Sequence, residues 1–473
     1  MGGAPHLVDV PGQTIHPALA SRPPSTTTHP VECLYSPWLK RQCNDAMDDV
    51  VCMRRADRGS GSCESRASAE DQDAASVSPI KVAPGDWPWW RGQNRNGIAP
   101  SGQKAPTKWS ATEGIRWKAP LPGKGHGSPI VVGDQVILNA AAHDPDRQLT
   151  IAFDKNTGKQ LWETKVHAGG LIAKQNDKST SANSTPACDG ERIFVNFLNS
   201  DAIYTTALDR KGNQLWQTKI TDYVLHQGFS SSPLVYGPLV IVSADTKGGK
   251  GTLAGLNRAT GKIVWSHSRP ALPNYPSPIV LKAAGKEQMF LIGCDLVTSL
   301  DPLSGSQNWE FPGATTECVT STVTDGTHIY TSGGYPKNHL AAMKADGSGT
   351  VVWEIPSRVY VPSMVLQDGY LYAMLDEGIV KCLKSDTGEE QWKHRVGGTF
   401  SSSLVLVDGT IYATDESGKT TIFKAAPKEF QLIGENQLGS EVFGTLTISG
   451  SRIYHRVAET VDGQRREFLY CIE

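Results

Sequence analysis

Residues Ala152–Trp162 read AFDKNTGKQLW. A short strand enters a glycine-containing turn, and a second strand leaves it through an aromatic residue. The unit recurs as ALDRKGNQLW ending at Trp216, GLNRATGKIVW at Trp265, SLDPLSGSQNW at Trp309, AMKADGSGTVVW at Trp353 and CLKSDTGEEQW at Trp392. A degenerate copy, IFKAAPKEF, ends at Phe430. The aromatics return about every 38–54 residues, and periodicity of this size marks a repeat architecture.

Upstream of each unit lies a hairpin. It reads SPIVVGDQVIL from Ser128, TPACDGERIFV from Thr185, STVTDGTHIYT from Ser321, SMVLQDGYLYA from Ser363, SLVLVDGTIYA from Ser403 and TLTISGSRIYH from Thr445, with variants from Ser232 and Ser277. Asp-Gly between alternating apolar residues is a strong hairpin signal, because such turns need positive φ. Hairpin plus aromatic unit gives four strands per period, the content of a propeller blade. Eight hairpins face only seven downstream aromatic strands. The missing strand is GIRWKAP, with Trp117, at the front of the array. Pairing Ile115–Lys118 with Phe468–Ile472 builds one blade from both chain ends and removes an open sheet edge. The predicted fold is all-β: an eight-bladed propeller of four-stranded antiparallel blades, closed by the N-terminal strand. The repeated tryptophans are expected to fill the gaps between neighbouring sheets.

Composition agrees with short strands and many turns. The 473 residues include 47 glycines and 29 prolines, and there is no unbroken apolar run of membrane-spanning length. Lys and Arg (46) nearly balance Asp and Glu (48), which excludes a global basic field for nucleic acid. Residues 1–80 are rich in Ser, Pro, Asp and Ala and read as a disordered tail. Their start lacks a basic region followed by an apolar one, so no secretory signal is read there. Cys33, Cys43, Cys52 and Cys63 are spaced too widely for a zinc knuckle. Cys188, Cys294, Cys318, Cys382 and Cys471 read as small buried hydrophobes. ESGKT at Glu416–Thr420 lacks the glycine and strand-to-helix setting of a phosphate loop. No kinase motif is present.

Ala152, Asp154, Thr157, Gly158 and Trp162 match the A-x-D-x-x-T-G-x-x-x-W hallmark of the pyrroloquinoline-quinone-type (PQQ-like) propeller repeat. The resemblance covers about residues 111–473. DWPWWRGQNRNG (Asp86–Gly97) resembles the W-x-x-W-R-G-x-x-R-[DN]-G leader of a group of bacterial propellers. The lipoprotein propeller of the outer-membrane barrel assembly machine is similar at a greater distance. The resemblance implies a leader, residues 81–110, packed on the propeller with Trp87, Trp89 and Trp90 as cap. It implies a periplasmic or secreted location and, in the dehydrogenase branch, pyrroloquinoline quinone with calcium. Quinoprotein dehydrogenases carry an adjacent Cys-Cys pair and Glu, Asn and Asp around the calcium. This chain has neither adjacent cysteines nor a CxxCH haem motif.

The entries to the innermost strands supply the rim candidates His126, Asn183, His226, Tyr275, Glu317, Tyr360, Ser401 and Glu441. Two histidines and two glutamates suit a cation site or an acid/base pair, and equally a hydrated polar channel. No metal site or catalytic residue is assigned. In the leader, Arg91, Asn94, Arg95 and Asn96 either bond the blade loops or face a ligand. Three functional readings follow. The first is a monomeric, non-catalytic scaffold in the cell envelope, binding protein partners on its blade loops or a small ligand in its channel. The second is a quinone- or metal-dependent oxidoreductase. The third is a carbohydrate or peptide receptor using Tyr275, Tyr360 and Phe400 as stacking surfaces.

Overall fold

In the Asp154 turn, one carboxylate oxygen accepts the backbone N–H groups of Asn156 (3.0 Å) and Thr157 (2.8 Å) and the Thr157 hydroxyl (2.8 Å). The side chain thus replaces the backbone partners that a reversal leaves unmet. Gly158 follows at φ +70°, and a Cβ there would lie 2.6 Å from the Trp117 ring. The glycine is required both by the turn and by the ring beneath it.

The computed structural model describes residues 77–172 and 176–473, all within the second of the chain's two units, 66–473. The tail expected over 1–80 falls largely outside these residues, as do Cys33, Cys43, Cys52 and Cys63. Strand β1 (Ile115–Pro120) precedes blade 1, which comprises β2 (Ile130–Val132), β3 (Gln135–Ala142), β4 (Arg147–Asp154) and β5 (Gln160–Ala168). Blades 2 to 7 span 187–222, 234–269, 279–312, 323–355, 365–395 and 405–437. Each has strands A to D in chain order, innermost to outermost. Blade 8 takes strands A to C from Thr447–Ser449, Arg452–Val461 and Gln464–Ile472, and strand D is β1. Ile115 pairs with Ile472 and Lys118 with Tyr470. The ring therefore closes as the sequence predicts, in eight four-stranded antiparallel sheets. Among the described residues no helix is long and apolar enough to cross a membrane.

Five of the blade tryptophans bond across to the next blade, whereas the indole N–H groups of Trp265 and Trp309 have no acceptor among the described atoms. The indole N–H groups of Trp117, Trp162, Trp216, Trp353 and Trp392 donate to the carbonyls of Lys155, Arg210, Arg258, Ser385 and Ala426. Within its own sheet each ring needs a small cross-strand partner. Ala152 faces Trp162, Ala207 faces Trp216, Gly255 faces Trp265, Ser299 faces Trp309, Ala342 faces Trp353 and Cys382 faces Trp392. A Cβ on Gly255 would come within 2.4 Å of the Trp265 ring.

Blade 7 breaks the rule, and here the sequence reading is corrected. Phe430 does not occupy the tryptophan position. It precedes strand D (Leu432–Gln437) and stacks on His394, with centroids 3.9 Å apart. The equivalent residue is Gly434, and the residue facing it is the large Ile422. A tryptophan at this seam would have no turn to dock on, because in blade 8 strand C is the last strand of the chain and strand D the first, and no turn joins them. The leader fills the space. Trp109 is 3% exposed, its backbone N–H donates to Asn436 Oδ1 at 2.8 Å, and Gly114 packs against it. Tyr412 adds a bond to the Ala105 carbonyl.

Replacing Trp109 with alanine is expected to cost about 3–5 kcal/mol, the range for a large buried aromatic. The shift in urea midpoint between wild type and Trp109→Ala measures it.

Candidate functional site

Each strand A is preceded by, or starts next to, a serine or threonine that opens its hairpin: Ser128, Thr185, Ser232, Ser277, Ser321, Ser363, Ser403 and Thr445. All eight are buried. Their hydroxyls link one blade to the next. Ser128 N–H donates to Thr185 Oγ1 (3.0 Å), Thr185 N–H to Ser232 Oγ (3.0 Å) and Ser232 N–H to Ser277 Oγ (2.8 Å). The chain of bonds resumes from Ser321 to Ser363, Ser403 and Thr445, and Thr445 N–H returns to Ser128 Oγ at 3.0 Å. At Ser321 the hydroxyl instead accepts the Trp90 indole N–H, at 2.9 Å. This girdle surrounds the channel. All eight positions stand at the head of a repeat in the sequence, so their shared hydroxyl was a readable signal that the sequence reading passed over.

On one side of the girdle the leader crosses the innermost strands. Trp87 and Val131 exchange backbone bonds (2.8 and 3.0 Å), Cys188 N–H donates to the Pro88 carbonyl (2.8 Å), and Ala99 and Leu406 link at 2.8 Å. Arg91 is buried, and its Nη2 donates to the Asn96 carbonyl (2.7 Å) and to the Met364 carbonyl. Arg95 lies over the Trp89 ring at 4.5 Å and donates to the Val235 carbonyl at 2.6 Å. Asn96 Oδ1 accepts Ile98 N–H (3.0 Å), and Asn94 is exposed. Arg91, Arg95 and Asn96 thus hold backbone.

On the other side lies an open cavity of about 620 Å³, within the usual range for ligand sites. Trp90 is half-buried in its wall with Tyr360 and Phe443. Its Lys and Arg side chains are each paired with an acid, and Glu377 adds an exposed carboxylate. Lys178 meets Glu416 at 2.8 Å, and Arg358 meets Asp376 at 3.5 Å. Burial pushes the Asp376 carboxyl up, even though it accepts the N–H groups of Tyr360 and Val361.

The structure brings four of the rim candidates together. His226 Nδ1 lies 2.9 Å from the Tyr275 hydroxyl and 3.6 Å from Glu317 Oε1. The Tyr360 hydroxyl donates to Glu317 Oε2 at 3.3 Å. Burial, reinforced by the Glu317 charge, pushes both tyrosine hydroxyls up. The others are dispersed. Asn183 is bonded to Ser179, Thr180 and Phe229, and Ser401 donates to Glu416 at 2.6 Å. Glu441 pairs with Arg465 at 2.5 Å, away from the cavity lining. His126 stacks on Phe443, with centroids 4.1 Å apart. Burial first, then Arg456 and Arg465, pushes its imidazole down to about 3. Phe400 is 1% exposed and belongs to the apolar core between blades 6 and 7.

A quinone with calcium needs carboxylate and amide donors around the metal and cations for the three quinone carboxylates. Among the described residues no three His, Cys, Asp or Glu side chains come together as metal donors. The cavity's Lys178 and Arg358 are each tied to an acid. The five described cysteines are buried and unpaired. Burial raises their thiols, Cys188 to about 12 and Cys318, Cys382 and Cys471 to about 11. Their neutral thiols are poor nucleophiles and metal ligands at neutral pH. The donor set does not fit the group.

The architecture defines the class, an eight-bladed propeller with a capped channel. The family model described as "Outer membrane protein assembly factor BamB" matches residues 93–224, 146–394 and 376–468, and the chain belongs to that family of PQQ-like propellers. Among solved structures it is similar to a europium-containing methanol dehydrogenase, at 13% identity, TM-score 0.62, covering 83% of this chain and 98% of that one. BamB from Moraxella catarrhalis matches at 16% identity and TM-score 0.54, covering 75% and 99%. The quinohemoprotein alcohol dehydrogenase of Comamonas testosteroni matches at 13% identity and TM-score 0.61, covering 85% and 83%. At these identities the likeness is one of fold. No curated protein sequence matches.

His126 and the fully buried His455, which burial pushes down to about 4, give a pH dependence. Below the ordinary histidine value of about 6.5 the unfolded chain takes up protons that the folded chain refuses. The stability tied to the neutral rings is therefore present above about pH 6.5 and lost as pH falls. Each ring adds a slope approaching ~1.4 kcal/mol per pH unit. His126→Gln is expected to flatten the acid limb by about that much, read from urea midpoints between pH 4 and 7.

Proposed function

We propose that this protein is a non-catalytic binding module of the cell envelope whose channel cavity takes an uncharged, hydroxyl-rich ligand, a saccharide in chemical class. One observation carries the reading: a cavity of ligand size whose basic groups are neutralised in pairs and whose wall offers aromatic faces. Among the described residues that line the cavity, Lys178 with Glu416 and Arg358 with Asp376 leave no unpaired Lys or Arg for an anionic ligand, and His126 is held neutral. Half-buried Trp90, Tyr360 and Phe443 present flat surfaces suited to sugar faces. Ser401, Asn176 and Gln227 line the same space as hydrogen-bonding partners. The described cysteines are buried with raised thiols and supply no thiolate nucleophile. The family's description as an outer-membrane assembly factor supports the cell-envelope placement.

Calorimetric titration separates this from the oxidoreductase reading. The expected result is oligosaccharide binding at one site, weakened about tenfold by Tyr360→Ala as a stacking face is lost. Pyrroloquinoline quinone with calcium is expected to give neither heat nor dye-linked oxidation of alcohols or sugars. Stoichiometric quinone binding with dye reduction would overturn the proposal.

A further inference from the structure

We propose that a single chloride-sized anion is bound between the leader and the hydroxyl girdle, held by the Arg91 guanidinium and the hydroxyls of Ser128, Thr185 and Thr445. The site lies beside the large cavity and shares Trp90, Ser128, Thr185 and Thr445 with its wall, whereas Arg91 lines only the small void. It is a small void with room of about 10 Å³ for the centre of a water-sized particle, enough for one monatomic occupant and too small for sulfate or phosphate.

Arg91 is 3% exposed. Its Nη2 is spent on two carbonyls, but Nε and Nη1 have no acceptor among the described protein atoms. Burial pushes its pKa down to about 9, and no acid opposes the shift. The group stays charged at neutral pH. A buried cation without a counter-charge is strongly destabilising, so a compensating negative charge is expected beside it. No carboxylate lines the void, whose other walls are Trp87, Trp90, Gly97 and the apolar residues that open blades 7 and 8.

The hydroxyls point to the same occupant. Thr185, Thr445 and Ser128 each use their oxygen to accept a neighbouring blade's N–H. Each keeps one O–H proton to donate, and all three line the void with Arg91. Two guanidinium nitrogens and three hydroxyl oxygens make five donor atoms lining one small space. A water accepts about two hydrogen bonds, whereas a halide accepts from every side and also neutralises the charge. Gly97, at φ +78°, is needed for the approach. A Cβ there would lie 2.8 Å from Arg91 Nη2 and 3.0 Å from the Leu404 carbonyl.

Bromide is the direct probe. Crystals of the protein grown in sodium bromide are expected to show one anomalous peak within hydrogen-bonding distance of Arg91 Nε or Nη1. The same position without anomalous signal, refined as water, would overturn the proposal. In solution, unfolding is followed against chloride at constant ionic strength, with gluconate as the replacing anion. Above the dissociation constant, the folding equilibrium constant is expected to rise about tenfold for each tenfold rise in chloride. Arg91→Met is expected to abolish that dependence. If this variant does not fold, the bromide map and the wild-type chloride series still decide. Stability indifferent to chloride would count against the site.

Discussion

The inner edge of every blade poses the same problem: a short strand whose outward-facing backbone groups have no further strand to pair with. An unpaired buried N–H costs about as much as a lost hydrogen bond, and an open edge invites foreign strands. The girdle of Ser and Thr hydroxyls answers this at seven of the eight blade junctions. Each of these oxygens takes the N–H of the adjoining blade, so the element that satisfies the inner edge also fixes the spacing of neighbouring sheets. The tryptophans set the same spacing farther out, where each indole reaches the turn of the next blade. Sheets held at two radii leave little freedom in how they tilt, and the cavity inherits that rigidity.

The fold was legible because its signals are local and repeated. Asp154, Thr157 and Gly158 make their turn with their own atoms, so the motif survives without knowledge of anything distant. The closure was legible for a counting reason: an unpaired front strand and an unpaired final hairpin require one another. Phe430 was misread because the true position holds Gly434, and a glycine gives no signal that it stands where a tryptophan belongs. The clue lay across the strand, where the bulky Ile422 replaces the small residues of other blades.

The site was legible in part. Sequence position identified the residues entering the inner strands, and that placed His226, Tyr275, Glu317 and Tyr360 on a common rim. It did not say that Glu317 would face His226 rather than Glu441, since their approach depends on loop paths between blades. Phe400 looked like a stacking surface because aromatic character is visible in sequence and burial is not: it borders the cavity but is 1% exposed, packed within the apolar core.

The leader is the part of the chain where fold and function meet. Trp109 fills the seam at which the ring closes, Trp87 to Ala99 pair with the inner strands, and Trp90 forms part of the cavity wall while bonding the girdle at Ser321. These tasks are coupled by covalent continuity. A displacement of the segment that uncovered Trp90 would also strip backbone partners from Val131 and Leu406, each buried and unable to find water. The cavity wall is therefore held as firmly as the propeller itself, and a ligand entering it meets a preformed surface. That favours recognition by fixed shape over closure around the ligand, and it explains why four tryptophans and a buried arginine are spent on a segment outside the blades.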